Sequence, residues 1–485
     1  MKKSYTYSFT VFALLVIMAT SCTKDFLDIK PPTEVMEDFF TSEQNANLAI
    51  TGCYDVMGWD GQHNSIPFFF GDIIGHDGWK GGDVGADQDW MDNLINFNYT
   101  PDNYMLNTAW KNYYVGINRC NTAIYNIGKM TPGIISDEAK TNLIAQARFV
   151  RGYFYFELIK TWGKVPLIDH VLRPSEYQQP LAEEVDIWSF IEGDFMAAAE
   201  VLPTLPGTED IGRATKGAAE AFLAKAYIYQ KKWQEAKELT DKIIAGGEYF
   251  LLSNFEDVFK MENQNNGEIV FSIQFKETGN GDFGDENEGS MACVYMQTRN
   301  HPFSGIGGWG FNCPTQKLVD QFEDGDPRVE ATFIHDGETL WAGTSDESTF
   351  DTKFATNKDH YSNQKYVLPL SQQPGEFSDA SKNWILIRFA EVMLWNAEAA
   401  LQSGGDWQSP LQQVRDRVGL GASPYSGIDA IYHERTVELA MEGHRFWDVV
   451  RQGRGQELLG EYGYIEGVHN HFPISQDQLD LSDLW

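Results

Sequence analysis

Apolar residues recur at three- and four-residue spacing over residues 42–57, where Ala46, Ala49, Ile50, Cys53, Tyr54 and Met57 share one face. That is the period of an amphipathic helix. The same period predicts helices from about Met105 to Ile127, from Ser136 to Trp162, from Trp188 to Leu202, and through Ala214–Ala245. Ser136-Asp137-Glu138 places acids in a first helical turn, where the helix dipole favours negative charge. Three long stretches, 58–104, 277–313 and 335–383, break this regularity with Gly, Asp, Asn and many aromatics.

Within 214–245, Leu223, Ala224, Tyr227, Trp233 and Ala236 match the register of a tetratricopeptide helix pair. Small Ala224 and Ala236 fall where two helices approach, and Tyr227 and Trp233 fill the gap beside them. Ala145–Ile159 and Ile387–Gln402 repeat this pattern more loosely. No fixed period runs through the chain, so an uninterrupted solenoid is excluded. The expected fold is mainly α, with tetratricopeptide-like helix pairs as scaffold, minor β, and long irregular loops suited to binding.

The first residues form a separate unit. Lys2 and Lys3 precede an almost wholly apolar run from Phe9 to Met18, and Ala19-Thr20-Ser21 lead to Cys22. This is a secretory leader ending in a lipoprotein-type cleavage site. The run is about half the roughly 20 residues that span a bilayer, so it is not an anchor itself. Cys22 is therefore the expected lipid-attachment residue, held to the bilayer by acyl chains that contribute about 0.8 kcal/mol per buried methylene. Ala19 stands where Leu is usual, so plain secretion with cleavage near Ser21 is the competing reading. Thr23-Lys24-Asp25-Phe26-Leu27-Asp28 resembles the export tag of Bacteroidetes surface lipoproteins, and Pro31-Pro32 stiffens the tether that follows.

Cleavage leaves 464 residues, and loss of Lys2 and Lys3 takes the net charge from −33 to −35. Such acidity argues against nucleic acid or anionic lipid headgroups as partners, which need clustered Lys and Arg. Cys53 and Cys120 sit in helical patterns as small hydrophobes. Cys293 and Cys313 flank a glycine-rich loop, and their pairing is left open. No CxxC or Cys/His cluster has zinc spacing, so no metal site built on thiolates is expected; no cofactor is expected, and whether calcium binds is left open.

The C-terminal third carries a family resemblance. Pro314-Thr315, Leu318-Val319, Gln321-Phe322 and Asp324-Gly325-Asp326-Pro327-Arg328 resemble one signature of the SusD/RagB nutrient-uptake lipoproteins. Arg388-Phe389-Ala390-Glu391-Val392-Met393-Leu394, with Ala397-Glu398-Ala399, is similar to a second. Glu434-Arg435, Glu438-Leu439, Glu442-Gly443-His444-Arg445-Phe446, Asp448 and Arg451 match a third. In the third, Arg435/Glu438 and Arg445/Asp448 are each three apart on a helix, and the expectation is that each pair meets locally within a partly buried ion network. That reads as a folding device.

The resemblance implies a surface lipoprotein of the outer membrane, facing the cell exterior, that binds without cleaving. Its implied partners are an oligosaccharide ligand, the membrane through its N-terminal lipid, and a TonB-dependent SusC-type outer-membrane transporter to which the ligand is passed. The organisation expected is 1–21 leader, 22–41 lipid attachment and tether, 42–276 an N-terminal helical region, and 277–485 a C-terminal region with loop insertions. Sugar rings lie with apolar faces against Trp and Tyr while polar side chains take the hydroxyls. Trp79, Trp90, Tyr295 and Trp309 are accordingly the platform candidates, with Asn93, Asp83 and Arg299 as polar partners. The tryptophans in helical patterns, Trp110, Trp162, Trp188, Trp233, Trp395 and Trp447, are read as core.

Other signals are weaker. Gly305-Ile306-Gly307-Gly308-Trp309-Gly310 satisfies GxGxxG, but Asn300-His301-Pro302 precede it and Pro314 delays any helix, so a dinucleotide fold is not expected. A lipid-anchored glycoside hydrolase is the enzymatic alternative, using acids such as Asp282, Asp285, Glu286 and Glu288. A surface lipoprotein binding peptides or another nutrient is the other. No HExxH, Walker A or GxSxG occurs.

Overall fold

A computed structural model describes residues 39–59, 67–83, 87–207, 210–281, 288–302, 305, 307–354 and 357–482. Cys22, the tether, and Asp282, Asp285 and Glu286 lie outside the described residues. The first half of the chain runs α1 (Glu43–Gly58), a π-helix (Pro67–Ile73), β1 (Gly78–Gly81), α2 (Asp89–Ile95), α3 (Tyr104–Lys129), α4 (Asp137–Trp162), α5 (Glu184–Val201), α6 (Lys216–Tyr229) and α7 (Trp233–Gly246). The second half runs β2 (Ile269–Ile273), α8 (Ala292–Met296), β3 (Phe311–Pro314), α9 (Gln316–Val319), α10 (Arg328–Thr332), β4 (Phe333–Ile334), β5 (Thr339–Leu340), β6 (Ser348–Thr349), β7 (Ser362–Asn363) and β8 (Trp384–Arg388). It closes with α11 (Phe389–Ser403), α12 (Gln408–Arg417), α13 (Ile428–Glu438), α14 (Arg445–Arg451), α15 (Gly455–Leu459) and α16 (Gln476–Leu481).

The fold is mainly helical, and its helices begin where short polar side chains satisfy first-turn amides. Ser42, Ser136 and Thr215 accept from Asn45, Ala139 and Ala218, and Asn103 accepts from Met105 and Leu106. Left-handed glycines Gly247 and Gly404 close α7 and α11. Successive helices α3 to α7 stack on their neighbours, and α11 packs on α7 and extends the stack. Ala224 and Ala236 are fully buried at the α6/α7 approach, as the helix-pair register requires. Gly116 lets α3 approach α4, since a Cβ there would lie 2.2 Å from the Phe154 ring. One continuous apolar core runs from α1 to α14, with Trp110, Trp162, Trp395 and Trp447 inside it and Trp188 and Trp233 packed against its margin.

The structure adds order to the long stretches between the helices. The 58–104 stretch is not irregular throughout, because it holds the π-helix, β1 and α2, whose partners lie far along the chain. Trp59 is core, with its indole N–H on Asp55 and the Arg119 guanidinium 4.7 Å above its ring. Tyr366, within 335–383, and Trp384, just after it, are both buried and stack at 4.5 Å. Cys53, Cys120, Cys293 and Cys313 are all free and buried, so Cys293 and Cys313 are not paired.

The charged C-terminal motif is buried as expected, but its pairs are long-range. Arg435 binds Asp448 (2.9 Å) and Glu391 (3.1 Å), not Glu438. Glu438 instead meets Arg328 (2.9 Å), Arg388 (2.5 Å) and Arg417. Arg388 also holds Glu442 (2.8 Å) and Glu268 (2.9 Å), Lys365 adds to Glu442 (2.7 Å), and Arg415 joins Glu434 (2.7 Å). Arg445 turns away from Asp448 to Asp77 (3.3 Å). Burial alone would raise the Glu438 carboxyl, but Arg417, Arg388 and Arg328 hold it well below the usual carboxylate range. Gly443, at φ +81°, makes the turn between α13 and α14, and its N–H donates to buried Asp72 (2.9 Å). The network therefore ties β8, α10, α12 and α13, with Glu268 at the edge of β2, into one body.

Candidate functional site

The loop residues singled out from the sequence gather around the β1/β3 ribbon. These strands pair antiparallel, with Gly78 opposite Pro314, Trp79 opposite Cys313 and Gly81 opposite Phe311. Gly81 is left-handed (φ +72°), and a Cβ there would lie 1.9 Å from the Gly310 carbonyl oxygen, so the ribbon closes only on glycine. Gly308 is equally tight, 2.4 Å by the same measure from the Gln297 carbonyl oxygen. The glycine-rich segment is thus a turn folded against α8, and it presents Trp309.

Phe69 of the π-helix is the buried hub of the site. Trp90 meets its ring edge-on at 5.4 Å and Tyr295 at 5.3 Å. Tyr295 in turn meets Trp309 at 4.9 Å and 90°, and Trp309 lies 6.0 Å from Phe377. The result is a continuous aromatic row in which Trp90, Trp309 and Phe377 are half-buried, while Phe69 and Tyr295 lie beneath. Tyr295, only 8% exposed, supports Trp309 and does not offer a free face.

Polar groups fix the row from behind. The Trp309 amide donates to Val294 O (2.8 Å), and Arg299 Nε donates to Trp309 O (3.2 Å). The rest of the Arg299 guanidinium faces Asp87 (3.1 Å) and Asp83 (3.7 Å). Asp87 also accepts the Asp83 amide (2.8 Å). On α2 the Trp90 indole donates to Gln88 (2.5 Å), and exposed Asn93 lies three residues on, on the same side of the helix. Lys80 reaches Asp92 (2.6 Å) and ties β1 to α2.

Trp90, Trp309, Asp83, Arg299 and Asn93 therefore border one surface, with Tyr295 buried beneath it. Trp79 does not join them. It alternates with Lys80 on the strand and points to the other face of β1, where its indole donates to Asp359 (2.6 Å) under the Lys358 ammonium, 4.2 Å from the ring. Phe69, Asp87 and Phe377 were missed by the sequence reading. Phe377 sits in a polar stretch, Gly375-Glu376-Phe377-Ser378, and only long-range folding brings it to Trp309.

The row is an open platform bordered by carboxylates and one paired guanidinium. Such a surface offers stacking faces and hydroxyl partners. A separate groove of about 270 Å³ lies between α1, β2 and residues 211–213, lined by Tyr54, Asp55, Arg213, Phe271 and Glu288. Burial, with Asp55 nearby, pushes the Glu288 carboxyl up there. No helix among the described residues is long and apolar enough to cross a membrane.

Comparison with known proteins places this architecture. Residues 267–478 match the family model described as "SusD family", and residues 25–228 match one described as "Starch-binding associating with outer membrane". A SusD-like protein of Bacteroides ovatus is 25% identical over 91% of this chain and 81% of its own length. Among solved structures, a laminarin-binding SusD-like protein is 29% identical, with TM-score 0.82 over 92% of this chain and 99% of its own. Surface glycan-binding protein A of Bacteroides thetaiotaomicron shares the fold at 23% identity, with TM-score 0.78 over 91% of this chain and 98% of its own.

Proposed function

The chain belongs to the SusD/RagB family, and from that premise we propose that it is a surface glycan-binding lipoprotein of the outer membrane. It captures oligosaccharides and passes them to a TonB-dependent SusC-type transporter. Cys22 carries the lipid, residues 22–41 form the tether, and the helical stack is the scaffold that holds the binding surface outward. The observation that carries the reading is the row Trp90–Phe69–Tyr295–Trp309–Phe377, with its half-exposed rings and the Arg299/Asp83/Asp87 cluster beside it. Flat rings spaced along an open surface suit the apolar faces of successive sugars, and Asn93 and the carboxylates suit hydroxyls.

The acidic rim and overall negative charge disfavour sulfated or uronic glycans and favour neutral ones. The 29% identical relative binds laminarin by its name, so laminarin oligosaccharides are the first ligands to test. An array of neutral glycans, charged glycans and peptides, with a parallel assay for new reducing ends, tests the reading. Retention of neutral glycans without new reducing ends supports it. Retention of peptides alone refutes the glycan assignment, and release of reducing ends refutes binding without cleavage.

A further inference from the structure

The turn between β4 and β5 plays no part in the platform, yet three ligating side chains converge there. His335, Asp336, Gly337 and Glu338 form a tight turn in which the Glu338 amide donates to His335 O (3.2 Å) and Gly337 is left-handed at φ +77°. The Glu338 carboxylate folds back to accept the His335 amide (3.0 Å), which holds it near the imidazole. Glu330, on α10, approaches the same ring. His335 Nε2 lies 3.3 and 3.2 Å from the two Glu330 oxygens and 3.9 Å from Glu338 Oε2.

The other ring nitrogen decides what these distances mean. His335 Nδ1 faces the Asp336 carbonyl oxygen at 3.3 Å, a group that only accepts. A neutral ring therefore carries its proton on Nδ1 and turns the Nε2 lone pair toward two carboxylates. Three acceptors then converge, an arrangement relieved either by a proton on Nε2 or by a divalent cation in its place. One ligating atom from each residue lies within 4.8 Å of the others, and this is the one such group among the described residues.

We propose that Glu330, His335 and Glu338 bind a first-row divalent cation, in the first instance zinc. Metal–ligand bonds of about 2.0–2.2 Å at a tetrahedral angle put neighbouring ligand atoms about 3.3 Å apart. The 3.2 Å separation already meets this, and the 3.9 Å separation needs a small rotation of Glu338. One imidazole nitrogen with two carboxylates suits zinc better than calcium, which takes six to eight oxygens. The side chains of Glu330 and His335 are 63% and 40% exposed, which gives an entry path and room for water at the fourth position. The ion would clamp α10, which carries Arg328 of the buried network, to the β5/β6 hairpin and its small core of Ile334, Leu340, Phe350 and Val367.

The test is calorimetric titration of the untagged, metal-stripped Cys22→Ser chain with zinc alone. It is repeated on His335→Gln and Glu330→Gln, with calcium as the comparison and melting temperature as a second readout. One zinc site is expected, weakened in each variant at least tenfold, the least that loss of a mere outer-shell partner costs. Zinc should raise the melting temperature of the parent and of neither variant, and calcium should do nothing. Absence of zinc binding, which would mean the triad holds only a proton, overturns the proposal. So does zinc binding of equal strength in parent and variants, or equal binding of calcium.

Discussion

Arg388 is where the buried network is most exposed to a single change. Its guanidinium donates to Glu442 (2.8 and 3.0 Å), Glu268 (2.9 Å), Glu438 Oε1 (2.5 Å) and the Glu438 carbonyl (2.5 Å), and it is 1% exposed. Arg388→Met keeps the length of the side chain and opens little cavity, so the loss is electrostatic. Breaking a buried pair by removing one partner costs about 3–5 kcal/mol. Arg417 still faces Glu268 and Glu438, and Lys365 still faces Glu442, so the expected cost is near the lower end, about 3 kcal/mol. Urea unfolding measures it, with Arg454→Met as control. The Arg454–Glu457 pair (3.0 Å) is surface-exposed, and its loss should cost under about 1 kcal/mol. The pH profile gives a second readout. Glu438 and Glu442 have folded pKa values held below the unfolded ones, so their stabilisation is present above the unfolded range. It is lost as pH falls through the folded values. Without Arg388 both carboxyls titrate higher, and acid unfolding of the variant should begin at higher pH. Equal stability of Arg388→Met and Arg454→Met, with superimposable acid limbs, would refute the argument.

Other expectations follow from other parts of the molecule. Cys22→Ser should leave the fold unchanged and release the protein from membranes, as fractionation of cells lacking the transporter would show; a variant that still sediments with membranes would exclude Cys22 as the anchor. Gly116→Ala should destabilise by about 1–3 kcal/mol, because its methyl would stand 2.2 Å from the Phe154 ring between α3 and α4; an unchanged denaturation midpoint would show that the helices yield there. Pull-down from detergent-solubilised membranes should recover a TonB-dependent barrel crosslinked to the helical stack, and recovery of the protein alone would count against the delivery role.

The scaffold was legible because its information is local. Heptad-scale spacing at Ala46 to Met57, capping serines such as Ser136, and the Ala224/Ala236 register each mark a helix from within one window. The C-terminal motif was legible as buried charge but not as pairs, since Arg328, Arg388 and Arg417 reach Glu438 across folded distance and not along one helix. The platform was half legible. Loop position identified Trp90 and Trp309 as candidates, whereas the strand alternation that turns Trp79 away depends on β1 finding β3. Phe377 carries no local sign of its place beside Trp309, and Tyr295 looks in sequence like any exposed loop aromatic although it is the buried support of the row.

The central claim is that the aromatic row binds glycan. Calorimetric titration of laminarin oligosaccharides into the soluble Cys22→Ser chain, and into the same chain carrying Trp309→Ala, tests it most directly. Loss of one stacking face should weaken binding by about 1–3 kcal/mol, roughly five- to 150-fold, by analogy with base stacking on aromatics. Circular dichroism of the variant should remain that of a folded helical protein. Parent-like affinity in folded Trp309→Ala, or no neutral-glycan binding by the parent, would contradict the account.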